Sequence, residues 1–391
     1  MNDRSADQRL LIVDDDAMIG ALVARIANRA GYQTMQVATS DDFLERVRAW
    51  GPTHIIVDLQ MPVVDGLELL SQLASDQSTA RIILISGAGG VLGSALRPLL
   101  TTGGHEVWTL VRRQPDRSRN EVYWNPEAGQ LNLAGLPPFD GVIHLAGDNI
   151  GEGRWTDAKK RRVIDSRVLG TGLIAHTLAS QPARPRVLLS ASAVGFYGNC
   201  LDCCMREEDA PGQDFISDVC SLWENAAAPA QDAGIRTVFL RIGVVLTPRG
   251  GALQRLLTTS ALGFPARFGA GDQYISWIGI NDMVGAIHHA LTCEALVGPV
   301  NIAAPQPATN AELLRTLAQV MGRPRLPPVP AVLLQSLYGQ MASEVLLGGC
   351  RVSTDKLQQS GYRFRHADLA TALGHLLGKP EPGNPTGALS S

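Results

Sequence analysis

With 391 residues, 45% of them hydrophobic and 18% charged, and a net charge of -3, the chain has the apolar content to fill two or three globular cores. A pI near 6.2 gives no electrostatic case for a nucleic-acid partner. The N-terminal MNDRSADQRL has no apolar signal-peptide core and no apolar run is long enough to span a bilayer, so the expected location is the cytoplasm with no membrane partner.

Residues 10–80 alternate in character. Short apolar runs at 10–13, 33–37 and 54–57 read as strands, and amphipathic stretches at 18–30, 41–49 and 66–74 read as helices. Alternation of this kind predicts a parallel sheet. Acids stand where strands end: Asp14, Asp15 and Asp16 after the first, Asp58 after the third. Carboxylates converging on one rim repel one another unless a hard cation joins them, which makes Mg²⁺ the expected ion.

Through LIVDDD and IIVDLQMPVVDGLELL this stretch resembles the receiver domain of bacterial response regulators. The resemblance implies Asp58 as phosphate acceptor, Asp14 and Asp15 with Asp58 as magnesium ligands, and a histidine kinase as partner. It ends near Ser86. The receiver's fifth strand, its lysine and its last helices have no counterpart, so a truncated lobe that accepts phosphate poorly is expected over 1–80.

At Arg81 a new pattern begins. An apolar run, Ile82 to Ile85, leads into Gly87, Gly90 and Gly93 and then directly into a helical pattern that begins with Ser94, Ala95 and Leu96. A strand, a glycine turn and a helix start make a phosphate cradle: glycine allows the tight turn and the close backbone approach, and the helix N-terminus offers free N–H groups. The next strand, 106–111, ends at Arg112 and Arg113, where an acid would select the ribose hydroxyl of NAD. Guanidinium groups there suit a 2′-phosphate and point to NADP.

The strand within FDGVIHLAG ends in Leu145, Ala146 and Gly147, small enough at its tip for the backbone to lie against a dinucleotide. A helix follows with Lys159, Lys160, Arg161 and Arg162, read as a solvated face. The strand 187–190 delivers Ser192 and Tyr197 to the same rim. A serine hydroxyl there suits a substrate carbonyl or alcohol; a tyrosine acts as acid or base only if a cation lowers its pKa. Cys200, Cys203 and Cys204 are read as free thiols of a loop, Asp282 as a helix cap, and the apolar helices 333–347 and 369–377 as core.

Taken together, ISGAGGVLG, HLAGDNIGEGRW, SRVLGT, LLSASAVGFYG, VCSLWENAA, LRIGVVL, GAGDQYISWIGINDM and VLLGGCRVSTDKLQQSGYRFR resemble the extended, sugar-nucleotide-epimerase-like short-chain dehydrogenase/reductases. More closely they resemble the atypical subfamily with a C-terminal domain of unknown function. The resemblance implies a doubly wound α/β Rossmann sheet with a smaller substrate lobe over 81–325, a helical C-terminal domain over 326–379, and a disordered tail over 380–391. It implies cofactor contacts from Gly87, Gly90, Val91, Leu92, Gly93, Arg112, Arg113, Leu145, Ala146 and Gly147, and a catalytic role for Ser192; Tyr197 is the substitute candidate for acid/base work, with a structural place under the nicotinamide as the alternative. One departure stands out: the family's YxxxK falls on DFISDVCSLWE, with Ile216 in the tyrosine position and Cys220 in the lysine position. Two functions follow as expectations. One is an NADP-dependent oxidoreductase or epimerase acting on a small polar or sugar-like carbonyl or alcohol; the other is a non-enzymatic NADP-binding sensor with a receiver-like interaction module.

Overall fold

The structure, a computed structural model, describes residues 9–14, 17–37, 46, 47, 49, 50, 52, 54–57, 81–261, 267–324 and 327–379. The chain divides into two compact units, one of residues 1–81 with 98–106 and one of residues 82–97 with 107–391.

In the first unit Arg9–Val13 is the middle strand of three, between Gln33–Val37 and His54–Val57, and both pairings are parallel. Its side chains alternate faces, as the strand period requires. Leu10 and Ile12 pack with Ala24 and Ala27 of the helix Ala17–Arg29, while Leu11 and Val13 pack with Val37, Trp50 and Ile55. The expected helix over 66–74 and most of that over 41–49 lie outside the described residues, as do Asp15, Asp16 and Asp58; Asp14 is half-buried.

The second unit is built on an eight-stranded sheet. Its order is Gly298–Ile302, Arg236–Ile242, Val187–Ala193, Gly141–His144, Ile82–Ser86, Glu106–Val111, Glu121–Asn125 and Gln130–Leu131. The pairings from Gly298–Ile302 to Ile82–Ser86 run parallel, and the outermost pair, Trp124 against Leu131, is antiparallel. Ile82–Ser86 could have served either a receiver or a dinucleotide fold; it lies inside the large sheet, between Gly141–His144 and Glu106–Val111. There the strand order reverses direction, which is where open α/β sheets bind ligands. Ile83, Leu84 and Ile85 are fully buried beside Val142 and Ile143.

A second cluster lies in the C-terminal part, where Leu246, Leu253, Trp277, Leu313, Leu314, Leu317 and Leu373 pack together. Its helix Asn310–Met321 starts in a capping box between Thr309 and Glu312, which satisfies two of the first-turn N–H groups. Three expectations need correction here. Asp282 caps nothing: it is buried within the helix Ile280–Thr292 and accepts hydrogen bonds from Arg365 N (2.7 Å), His366 N (3.0 Å) and the Tyr362 hydroxyl (3.0 Å), tying the last segment down. Cys200–Met205 is a strand, paired with Cys350–Val352, because its backbone groups find a ladder partner far along the chain. The helix expected over 333–347 is broken at Gly339, and of its first part, Ala331–Tyr338, only Leu334 is buried while Val332, Leu333 and Leu337 face outward.

Beneath the glycine turn Ser86 and His144, on neighbouring strands, are fully buried and share a hydrogen bond of 2.5 Å between Ser86 Oγ and His144 Nδ1. His144 Nε2 has no partner among the described residues. Burial, with Arg167 nearby, pushes this imidazole down to about 4 from its ordinary 6.5. The folded state thus holds His144 neutral while the unfolded chain protonates it, so stability falls as pH drops from about 6.5 to about 4, by roughly 3 kcal/mol from this residue. Urea midpoints of the parent and His144→Gln, taken at pH 7 and pH 4.5, should show the parent losing more on acidification; parallel losses would refute the assignment.

Candidate functional site

At the end of Ile82–Ser86 the chain turns through Gly87, whose φ is +72°, and enters the helix Val91–Thr102. Each glycine has a separate reason. A Cβ on Gly87 would stand 2.8 Å from Ala146 N and 2.8 Å from the Leu145 carbonyl carbon. One on Gly93 would run into Gly87 O and come within 2.5 Å of Ala88 Cα, so this glycine lets the helix pack directly onto the turn. Gly89 meets nothing within 4 Å, and Gly90 only Gly87 O at 3.3 Å. The open side of the turn is therefore at Gly89 and Gly90, beside the N-terminal residues Val91 and Leu92 of the helix. That is the geometry of a pyrophosphate cradle at a helix N-terminus, with the turn itself closed by Gly90 N donating to Gly87 O (3.0 Å).

On the next loop, Leu145, Ala146 and Gly147 continue from Gly141–His144. Leu145 N and Ala146 N donate to Ser86 Oγ at 3.2 and 3.4 Å, and the following residue is pinned twice: Ser166 Oγ accepts from Asp148 N (3.0 Å), and Lys159 pairs with the Asp148 carboxylate (2.8 Å). Lys159 is buried, so the basic run is not wholly a solvated face: its first member points inward and holds this loop.

On the other side of the switch point stand the two arginines. Arg113 makes a two-pronged pair with Glu121, Nη1 to Oε2 at 2.7 Å and Nη2 to Oε1 at 2.6 Å. The pair raises the arginine's pKa and lowers the carboxyl's, the shared hydrogen bonds being the main cause for each. Glu121 thus balances the charge of Arg113. Arg112 is exposed and has no ion-pair partner among the described residues.

Beyond Gly141–His144 a buried polar network closes the rim. Ser192 Oγ donates to Glu224 Oε1 (2.7 Å); Arg241 grips Glu224 through Nε to Oε1 (2.9 Å) and Nη2 to Oε2 (3.0 Å). Arg241 Nη1 donates to the Tyr197 hydroxyl (2.9 Å), which donates to Asn301 Oδ1 (2.7 Å). Phe196 stacks under the guanidinium, 3.5 Å from ring centroid to Cζ, a contact that favours a desolvated cation. With its proton turned to Glu224, the Ser192 hydroxyl keeps acceptor capacity but has no proton left to give. For Tyr197, burial outweighs Arg241 and pushes the phenol up to about 12, opposite to the lowered pKa that acid or base work by this residue requires.

Ile216 and Cys220 lie on the helix Phe215–Asn225, which Asp214 caps by accepting from Ser217 N (2.9 Å). The Ile216 side chain packs against Gly195, where a Cβ would collide with its Cγ2. Burial pushes the Cys220 thiol up to about 12, so it is neutral and can replace neither the charge nor the reach of a lysine.

Glu224, Arg241, Asn301 and Arg167 were not among the residues that sequence reasoning placed in the site. A signal existed for two of them: Arg241 within TVFLRI and Glu224 within LWENAA are charges inside apolar runs, and buried charges come paired. Asn301 gave none.

The fold and the cradle define a Rossmann-type nucleotide-binding protein with an appended C-terminal lobe. The family model described as the NAD dependent epimerase/dehydratase family matches residues 83–303, and the chain belongs to that family. A domain of unknown function, DUF1731, matches residues 329–376, and the response regulator receiver domain matches residues 10–95. An epimerase family protein of Mycobacterium bovis is 39% identical over 299 residues, 76% of this chain and 98% of that protein. The crystal structure of the human epimerase family protein SDR39U1 (isoform 2) with NADPH superposes with a TM-score of 0.70 at 32% identity, covering 76% of this chain and 99% of that one. A nucleoside-diphosphate sugar epimerase from Corynebacterium glutamicum superposes with a TM-score of 0.64 at 33% identity, covering 80% of this chain and 62% of that one. Among the described residues, no helix is long and apolar enough to cross a membrane.

Proposed function

We propose that the chain is an NADP-dependent oxidoreductase or epimerase that transfers hydride to or from a small polar or sugar-like carbonyl or alcohol. The carrying observation is the cradle: a turn that excludes a Cβ at Gly87 and Gly93 yet is open at Gly89 and Gly90 has the shape a dinucleotide pyrophosphate requires. Bound there, the nicotinamide would supply the hydride donor or acceptor. Gly87 and Gly90, with Val91, Leu92 and Gly93, would face the pyrophosphate; Leu145, Ala146 and Gly147 would line the dinucleotide; Arg112, more than Arg113, would meet the 2′-phosphate. Ser192, its own proton given to Glu224, would accept a hydrogen bond from a substrate alcohol. The human relative solved with NADPH supports the choice of NADP.

One observation favours a second reading, a cofactor-binding sensor without turnover. Ile216 and Cys220 stand where the superfamily's proton donor and its lysine would be, and Tyr197 is held neutral within the buried network. A substrate-class screen following NADPH absorbance separates the two readings.

NADPH should bind roughly ten-fold more tightly than NADH, since charge-assisted contacts to the extra phosphate have no counterpart in NADH. Arg112→Ala should remove most of that preference. Fluorescence titration of both reduced cofactors decides it, and equal affinities in the parent would sink the NADP assignment.

A further inference from the structure

The helix Asp157–Ala179 buries an arginine on a largely apolar face, two turns on from the buried Lys159. Arg167 is 9% exposed, among buried Val163, Gly170 and Ile174. Its Nη1 donates to the carbonyls of Asp148 (3.1 Å) and Val163 (3.1 Å), and its guanidinium lies over the Trp223 ring, 4.8 Å from the centroid. A Cβ on Gly147 would stand 3.4 Å from its Cζ. Among the described residues no carboxylate pairs with it, and its Nε and Nη2 donate to no acceptor.

A guanidinium taken out of water is costly even with a carboxylate in range, and the charge of Asp148, already paired with Lys159, acts on this one without bonding it. Two carbonyls and an aromatic face offset only part of that cost, so the unused donors call for a ligand rich in acceptor oxygens. Position says which part of a ligand. In the sheet order the switch point at Ile82–Ser86 separates Arg112, after Glu106–Val111, from the strands Gly141–His144 and Val187–Ala193. A dinucleotide with its phosphorylated ribose at Arg112 therefore extends its nicotinamide half toward Gly147 and Ser192. Arg167 borders that half: Gly147 is on the loop after one strand, and Trp223 belongs to the helix that carries Cys220. The charge of Arg167 also acts on the Cys220 thiol, lowering a pKa that burial raises.

We infer that Arg167 supplies, from the neighbouring helix, the fixed positive charge that residue 220 does not, and that its Nε and Nη2 donate to oxygens in the nicotinamide half of the bound dinucleotide. This rests on the proposal that the cradle binds NADP(H), and assigns a residue of that site.

The test uses the full chain and two ligands, NADPH and adenosine 2′,5′-bisphosphate, which is the adenine half alone. Arg167→Met keeps the length and apolar stem and removes the charge; circular dichroism reports its fold. It should weaken NADPH about ten-fold or more and leave the bisphosphate within about two-fold of the parent, while Arg167→Lys should recover part of the loss. Parent-like NADPH affinity in Arg167→Met would overturn the inference, as would equal losses for both ligands, because the residue would then act only through the fold. A parent that binds both ligands, with every variant matching it, condemns Arg167 alone; a parent that binds neither ligand condemns the cofactor proposal beneath it.

Discussion

Replacing Gly93 with alanine should destabilise the second unit by about 3 kcal/mol or more and abolish NADPH binding with it. The new Cβ would fall within 2.5 Å of Ala88 Cα and closer still to Gly87 O. Both are backbone atoms of a turn that cannot retreat, because Gly87 is itself against Leu145 and Ala146. Overpacking of this kind costs about 1–3 kcal/mol where side chains can adjust, and here only the backbone could. Gly90→Val should behave differently. Its nearest neighbour for a Cβ is Gly87 O at 3.3 Å, and the branches would extend into the space a pyrophosphate needs, so binding should vanish while the urea midpoint stays close to the parent's. Urea denaturation and an NADPH titration on each variant separate the cases. Gly93→Ala with parental stability, or Gly90→Val with parental affinity, would contradict this account of the turn.

The second large effect is expected in the buried network. Arg241→Met should cost about 3–5 kcal/mol, because it leaves the Glu224 carboxylate buried without its cation and the Tyr197 hydroxyl without a donor. Most of the loss comes from the abandoned charge and not from the missing contact. Arg241→Met combined with Glu224→Leu should therefore be less destabilised than Arg241→Met alone. A double-mutant cycle from denaturant midpoints measures this directly, and a double variant as unstable as the sum of its parts would show that the pair is not coupled.

The division between what the sequence reveals and what it conceals follows contact distance along the chain. Buried parallel strands such as Ile82–Ser86 and Val187–Ala193 read as continuous apolar runs because both faces are covered, and the glycine turn is local, so fold and cradle were legible. The network was not. Tyr197 meets Asn301 across 104 positions, and Ser192 meets Glu224 across 32; no spacing rule links such pairs. Arg113 shows the same limit at short range: its neighbour Glu121 is eight residues on, yet only the parallel pairing of Glu106–Val111 with Glu121–Asn125 turns that separation into an ion pair. Apolar helical spacing also misled. Ala331–Tyr338 carries Val332, Leu333 and Leu337 outward, because periodicity shows that a helix has an apolar face without showing whether anything covers it.

The receiver match ends at residue 95 and the epimerase-family match begins at residue 83, so both kinds of protein can be read through the same strand and glycine turn. Such a strand is an interchangeable part. In either lineage it must be short, buried on both faces and followed by a small residue at its tip. A genetic crossover inside it keeps the hydrophobic pattern unbroken, whichever parent supplies each half. A chain can thus pass from one pattern to the other in mid-element, with no spacer between them.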